Sequence, residues 1–114
     1  MPVAVVLLVL DSKVLKRINS ILNEVSSYFK GVAEVVTAKN KLTKEDIKKL
    51  VECGVRKIVV LPIVENLRKH FEKTYVEKLK LADGRVKIVY AKPMLSSKIT
   101  TNNVILEIEK LLKP

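Results

Sequence analysis

Two kinds of residue in this chain could do chemistry: a single histidine and a scatter of lysines at expected loop positions. His70 is the only histidine and stands eight residues after Pro62. Imidazole titrates near neutral pH and ligates transition metals, so one such group can serve as general base, metal ligand or both. Glu65 lies in the same stretch and adds a carboxylate. Ser12 and Lys13, Lys39 and Lys41, Arg68, and Lys92 follow the chain's apolar runs. Together they would make a cationic mouth suited to an anionic substrate. Plainer readings fit the same residues. Lysines collect on solvated loops, and His70 sits three residues after Leu67 and one before Phe71, as a packed helix residue would.

Other chemistries are excluded by what is missing. The glycines are Gly31, Gly54 and Gly84, so neither a phosphate loop nor a dinucleotide fingerprint can follow the first apolar run. Receiver domains want an acidic pair at the end of strand one and an aspartate ending strand three, but this third run ends in Pro62-Ile63. No Ser-His-Asp or paired-cysteine arrangement is present. Cys53, beside the Leu50/Val51 face, is expected to be a buried and inert thiol.

The elements that must position these residues are legible in the apolar pattern. Val3 to Leu10 is apolar without alternation, as a strand covered on both faces requires. Asp11 or Ser12 can cap the next helix, whose Val14, Leu15, Ile18, Ile21, Leu22, Val25 and Phe29 form one stripe. Gly31 suits a left-handed helix stop. Val32 to Ala38 reads as a second strand of edge character. Thr43 to Asp46 opens a second helix as a capping box, with Ile47, Leu50 and Val51 inward and Gly54 at its end. Arg56 to Leu61, closed by Pro62, is a third strand. A helical pattern runs from about Asn66 to Leu81, with Leu67, Phe71, Tyr75 and Leu79 on one stripe. Asp83-Gly84 turns the chain into a fourth strand, Val86 to Ala91, closed by Pro93. Met94 to Asn102 reads as a polar loop before a final helix marked by Val104, Ile105, Ile108, Leu111 and Leu112.

Strand and helix alternate throughout, which demands parallel strands and right-handed crossovers. The expected architecture is therefore α/β: a flavodoxin-like three-layer α/β/α sandwich over a four-stranded parallel sheet of order 2-1-3-4. In such sheets ligands sit beyond the carboxyl ends of the strands. All the candidate residues fall in the segments that follow those ends.

At 114 residues, one domain spanning 1–114 is expected. The longest apolar run is far short of the roughly 20 residues of a membrane span, so no membrane is expected as a partner. The Met1-Pro2-Val3 start has no basic leader, and the single cysteine cannot form an internal disulfide. These features fit a cytoplasmic protein. With 22 Lys+Arg against 12 Asp+Glu, the net charge is +10. Heat adaptation accounts for many charges but not for the excess of one sign. The excess favours anionic partners, nucleic acid among them. Against base stacking, Tyr90 is the only aromatic in a strand-like run.

Gly54-Val55-Arg56-Lys57-Ile58-Val59-Val60-Leu61-Pro62-Ile63 followed by His70 resembles the short form of the sirohydrochlorin cobaltochelatase family (CbiX type, class II chelatases). That family shows an aliphatic strand ending Val-Pro-Leu-Phe, then Gly-x-His-Val. Val86 to Ala91 with Pro93 is similar to its final strand, and length and element order agree over essentially the whole chain. The family's first metal-site motif, Gly-His-Gly-Ser, corresponds to Val9-Leu10-Asp11-Ser12 here, so Leu10 stands at the histidine and only Ser12 is kept. Arg68 stands at the glycine two before the second histidine. The resemblance implies a metal-inserting lyase of cobalamin biosynthesis with Co or Ni as substrate ion and no organic cofactor. It further implies an anionic tetrapyrrole partner and a homodimer enclosing it. His70 is the matching catalytic and metal-site residue, and Glu65 is a candidate replacement ligand. Ser12, Lys13, Lys39, Lys41, Arg68 and Lys92 are the expected substrate-binding residues. The alternative from another class is a non-catalytic basic adaptor that binds nucleic acid.

Overall fold

The structure, a computed structural model, describes residues 3–65 and 84–113. The expected helix over 66–81 lies outside the described residues, as do His70 and Arg68. Within them the chain runs β1 (Val3–Val9), α1 (Ser12–Tyr28), β2 (Glu34–Lys39), α2 (Lys44–Glu52), β3 (Lys57–Val64), β4 (Lys87–Tyr90) and β5 (Met94–Leu95). A 3-10 turn over Ser96–Lys98 then leads into α3 (Thr101–Leu112). The strands are parallel in the order β2-β1-β3-β4, with β5 adding a short pairing to the end of β3. This is the expected α/β, flavodoxin-like arrangement.

Strands β1 and β3 are central, and their unbroken apolar sequences follow from cover on both sides. Side chains alternate across a strand. Val5, Leu7 and Val9 of β1 join Val59, Leu61 and Ile63 of β3 against α1 and α3. Ala4, Val6 and Leu8 join Ile58 and Val60 against Ile47 and Leu50 of α2. Among the described residues the interior holds no buried polar or charged side chain. Polar chemistry is therefore confined to the rim.

Local signals set the helix ends. Asp11, rather than Ser12, caps α1, its side chain accepting from the Lys13 N–H. Thr43 and Asp46 close the reciprocal capping box of α2. Gly31 and Gly54 hold φ values of +84° and +95°, where a side chain would be strained. Arg56 steadies the end of α2 by donating to the carbonyls of Val51 and Val55. The Tyr28 hydroxyl donates to Glu109 at 2.6 Å and ties α1 to α3.

Several expectations need correction. Pro62 does not close β3: the strand passes through it to Val64, with Pro62 opposite Leu8 of β1. The fourth strand adapts instead. Val60 accepts from the Ala91 N–H, so Val60, and Pro62 two residues on, face that strand. Opposite Leu61 and Pro62 stand three residues, Ala91–Pro93, before pairing resumes as β5. A bulge thus falls where β3 has no N–H to offer. The polar loop expected over Met94 to Asn102 is partly ordered structure, because Met94 and Ile99 are buried among the α1/α3 core and anchor it. Cys53 is exposed, not buried: it is the C-cap of α2, past the last inward turn. Finally, β2 begins at Glu34 and leaves Val32 exposed.

Ile18 is wholly buried between α1 and the sheet. Ile18→Ala should cost about 2–5 kcal/mol in equilibrium denaturation, and Thr43→Ala about 1 kcal/mol through the lost cap. If Ile18→Ala proved neutral, α1 would not pack as described.

Candidate functional site

The carboxyl edge of the sheet is built by the residues after β1, β2 and β3 and by the bulge between β4 and β5. The register of the two central strands sets its geometry. Val9 pairs with Ile63 as the last matched pair of β1 and β3. Two residues further along each chain lie Asp11 and Glu65. The two side chains influence one another: the Glu65 carboxyl is among the groups that lower the Asp11 value.

Asp11 is placed by its capping role. Its Oδ1 accepts from the Lys13 backbone N–H at 2.7 Å. That bond is the main reason its carboxyl lies below its ordinary value of 3.8. Partial desolvation opposes the shift, while the Glu65 carboxyl, the Val14 N–H and the Lys13 charge add to it. Two carboxyl groups at adjacent strand ends are a chemistry that can receive a cation, and here they stand among lysines.

Lys39 ends β2 and reaches across the edge, its Nζ donating to Ser12 Oγ at 2.8 Å. The next residue, Asn40, takes φ = +68°, a left-handed conformation that asparagine tolerates better than most side chains. Its N–H donates to the Val9 carbonyl at 2.8 Å, and the Lys41 N–H donates to Lys39 O at 2.8 Å. This tight turn directs the chain from β2 back over the end of β1. Ser12, Lys13, Lys39 and Lys41 are all exposed around it.

Of the expected site residues, then, Ser12, Lys13, Lys39 and Lys41 cluster with Glu65 at the ends of β1 to β3. Lys92 is exposed in the bulge and lines a separate groove with Lys98 and Lys110 of the following segments. Arg68 and His70 lie outside the described residues. Leu10, where the resemblance expects a histidine, is half-buried. Asp11 is legible in the sequence as a helix cap, but its relation to Glu65 is not. The signal was the equal spacing of both from the ends of two adjacent apolar runs, and it becomes usable only once the register is known. The Lys39–Ser12 contact had no signal in the sequence.

Among the described residues, no group of three or more His, Cys, Asp or Glu side chains is placed to hold a metal ion. The carboxyl pair alone supplies oxygen ligands, which suit hard cations better than cobalt or nickel. A nitrogen ligand would have to join it for the softer ions.

The lowered Asp11 value has a pH signature. A carboxyl depressed in the folded state contributes stability above its unfolded value, and that contribution is lost as pH falls through the lowered folded value. The melting temperature of the native chain should therefore exceed that of Asp11→Ala at neutral pH, and the gap should narrow as pH drops below about 4. A gap that stays constant from neutral to strongly acid solution would show that the Asp11 charge does not matter.

No known protein-family model matches this chain, and no curated protein gives a significant match. Its function has to be read from the carboxyl edge and the sequence.

Proposed function

We propose that this chain is a CbiX-like chelatase-type protein that takes a divalent metal ion, cobalt or nickel, together with an anionic tetrapyrrole such as sirohydrochlorin at the carboxyl edge of its sheet. The observation that carries the reading is the Asp11–Glu65 carboxyl pair at adjacent strand ends, inside a rim of lysines. Metal insertion requires groups that receive the aquo-ion and a base that accepts the pyrrole protons as the nitrogens close on the metal. In this reading the carboxylates receive the ion. His70 supplies the nitrogen ligand suited to cobalt and nickel, and a base that works near neutral pH. Lys13, Lys39 and Lys41 answer the carboxylates of the macrocycle, with Arg68, Lys92 and Ser12 completing the polar rim. One domain gives a planar ligand one wall, so the active form is a homodimer with the macrocycle between two copies.

The test is metal and tetrapyrrole binding followed together. Adding sirohydrochlorin and Co²⁺ should shift the visible absorbance. His70→Ala and Glu65→Ala should each weaken Co²⁺ binding at least tenfold while leaving the melting temperature nearly unchanged. If His70→Ala instead destabilises the fold by about 1–3 kcal/mol and leaves Co²⁺ affinity alone, the imidazole is a packing group and the reading fails. The net charge of +10 favours one competitor, a basic adaptor for nucleic acid. That competitor predicts no absorbance change and a heparin affinity that falls steeply with salt.

A further inference from the structure

On the flank of the sheet, next to the end of β3, β5 and the 3-10 turn meet α3 along a groove of about 470 Å³. That volume falls in the range of small-molecule sites. Pro93, Met94, Leu95 and Leu106 give it an apolar floor and wall, while Lys92, Lys98 and Lys110 stand around it. Leu106 projects off the buried stripe of α3 and is 54% exposed, one of three large hydrophobic side chains so exposed among the described residues. Leu106 adds an accessible apolar side chain to the wall of the groove.

The charge of the groove points one way. Its single acid, Glu107, is 3.7 Å from Lys110 Nζ and offsets one of the three lysines. The amino-terminal end of α3 above it is already capped, the Thr100 hydroxyl accepting from the Asn103 N–H at 3.1 Å, so the lysines set the charge of the groove. The Asn103 side chain donates to the Lys98 carbonyl at 2.8 Å and ties α3 to the 3-10 turn. The lysine excess favours a negative ligand. The floor favours an apolar body.

We infer that the groove between β5 and α3 binds a free amphipathic anion, one carboxylate or phosphate head on an apolar body, with the head between Lys98 and Lys110 and the body against Met94, Leu95 and Leu106. Neither Asp11 nor Glu65 lines this groove, and the inference does not depend on the function proposed for them. Lys92 is also assigned to the proposed polar rim, so Lys98, Lys110 and Leu106 are the residues that separate the two readings.

The probes are octanoate and octyl phosphate, with octanol and octylamine as controls and methyl-group NMR as the readout. Octanoate or octyl phosphate should bind saturably and shift the Met94, Leu95 and Leu106 methyl signals. Octanol and octylamine should bind at least tenfold more weakly. The double variant Lys98→Glu/Lys110→Glu and the single variant Leu106→Asn should each weaken the anion at least tenfold. Glu65→Ala, which touches only the strand-end site, should leave it unchanged. Equal binding of octylamine and octanoate would overturn the proposal. So would shifts that miss these methyl groups, affinity that survives both groove variants, or binding seen only with lipid vesicles. Far-ultraviolet circular dichroism on each variant confirms that a lost signal is not lost folding.

Discussion

The register between β1 and β3 is the constraint on which the rest of this structure depends. Because side chains alternate along a strand, one register sends Val5, Leu7 and Val9 to the α1/α3 side together with Val59, Leu61 and Ile63. A slip of a single residue would turn one strand's apolar set to the opposite layer. The same register decides which residues meet beyond the strand ends, and so it joins Asp11 to Glu65. Core packing and the candidate site are two consequences of one pairing. With no polar side chain buried among the described residues, nothing inside the core competes with that pairing.

Pro62 shows how the sheet absorbs a local defect without losing that register. A proline inside a central strand removes one ladder donor. Here the missing donor faces the fourth strand, which bulges over Ala91–Pro93 and resumes as β5. On its other side β3 stays matched to β1 up to Ile63. The bulge has a second effect: it exposes Lys92 at the mouth of the groove beside α3, and beyond it Met94 anchors the segment that forms the groove's floor. An apparent flaw in the ladder therefore shapes two surfaces.

The sheet order and the faces of α1 and α2 were legible in the sequence because they rest on period. The unbroken runs Val3–Leu10 and Arg56–Leu61 could only be covered strands, and the α1 stripe from Val14 to Phe29 could only be one buried face. Caps were legible because their chemistry is local, as in the Thr43–Asp46 box. What escaped depended on non-local pairing. Pro62 read as a strand end because its effect is decided by the neighbouring strand. Met94 and Ile99 read as loop because two isolated apolar residues carry no period. Cys53 read as buried because one turn separates the inward face of α2 from its exposed cap. The Asp11–Glu65 contact joins residues more than fifty positions apart and needs the register itself.

Metal binding at the carboxyl edge requires Asp11 and Glu65 to act as one receptor for the ion. The most direct measurement is a double-mutant cycle on Co²⁺ affinity with Asp11→Asn, Glu65→Gln and the pair combined, taken in the full chain with its melting temperature monitored. If the carboxyls share the ion, the losses are strongly non-additive, and the double variant is little weaker than the worse single variant. Losses that simply add, or no loss in either single variant, would contradict the account.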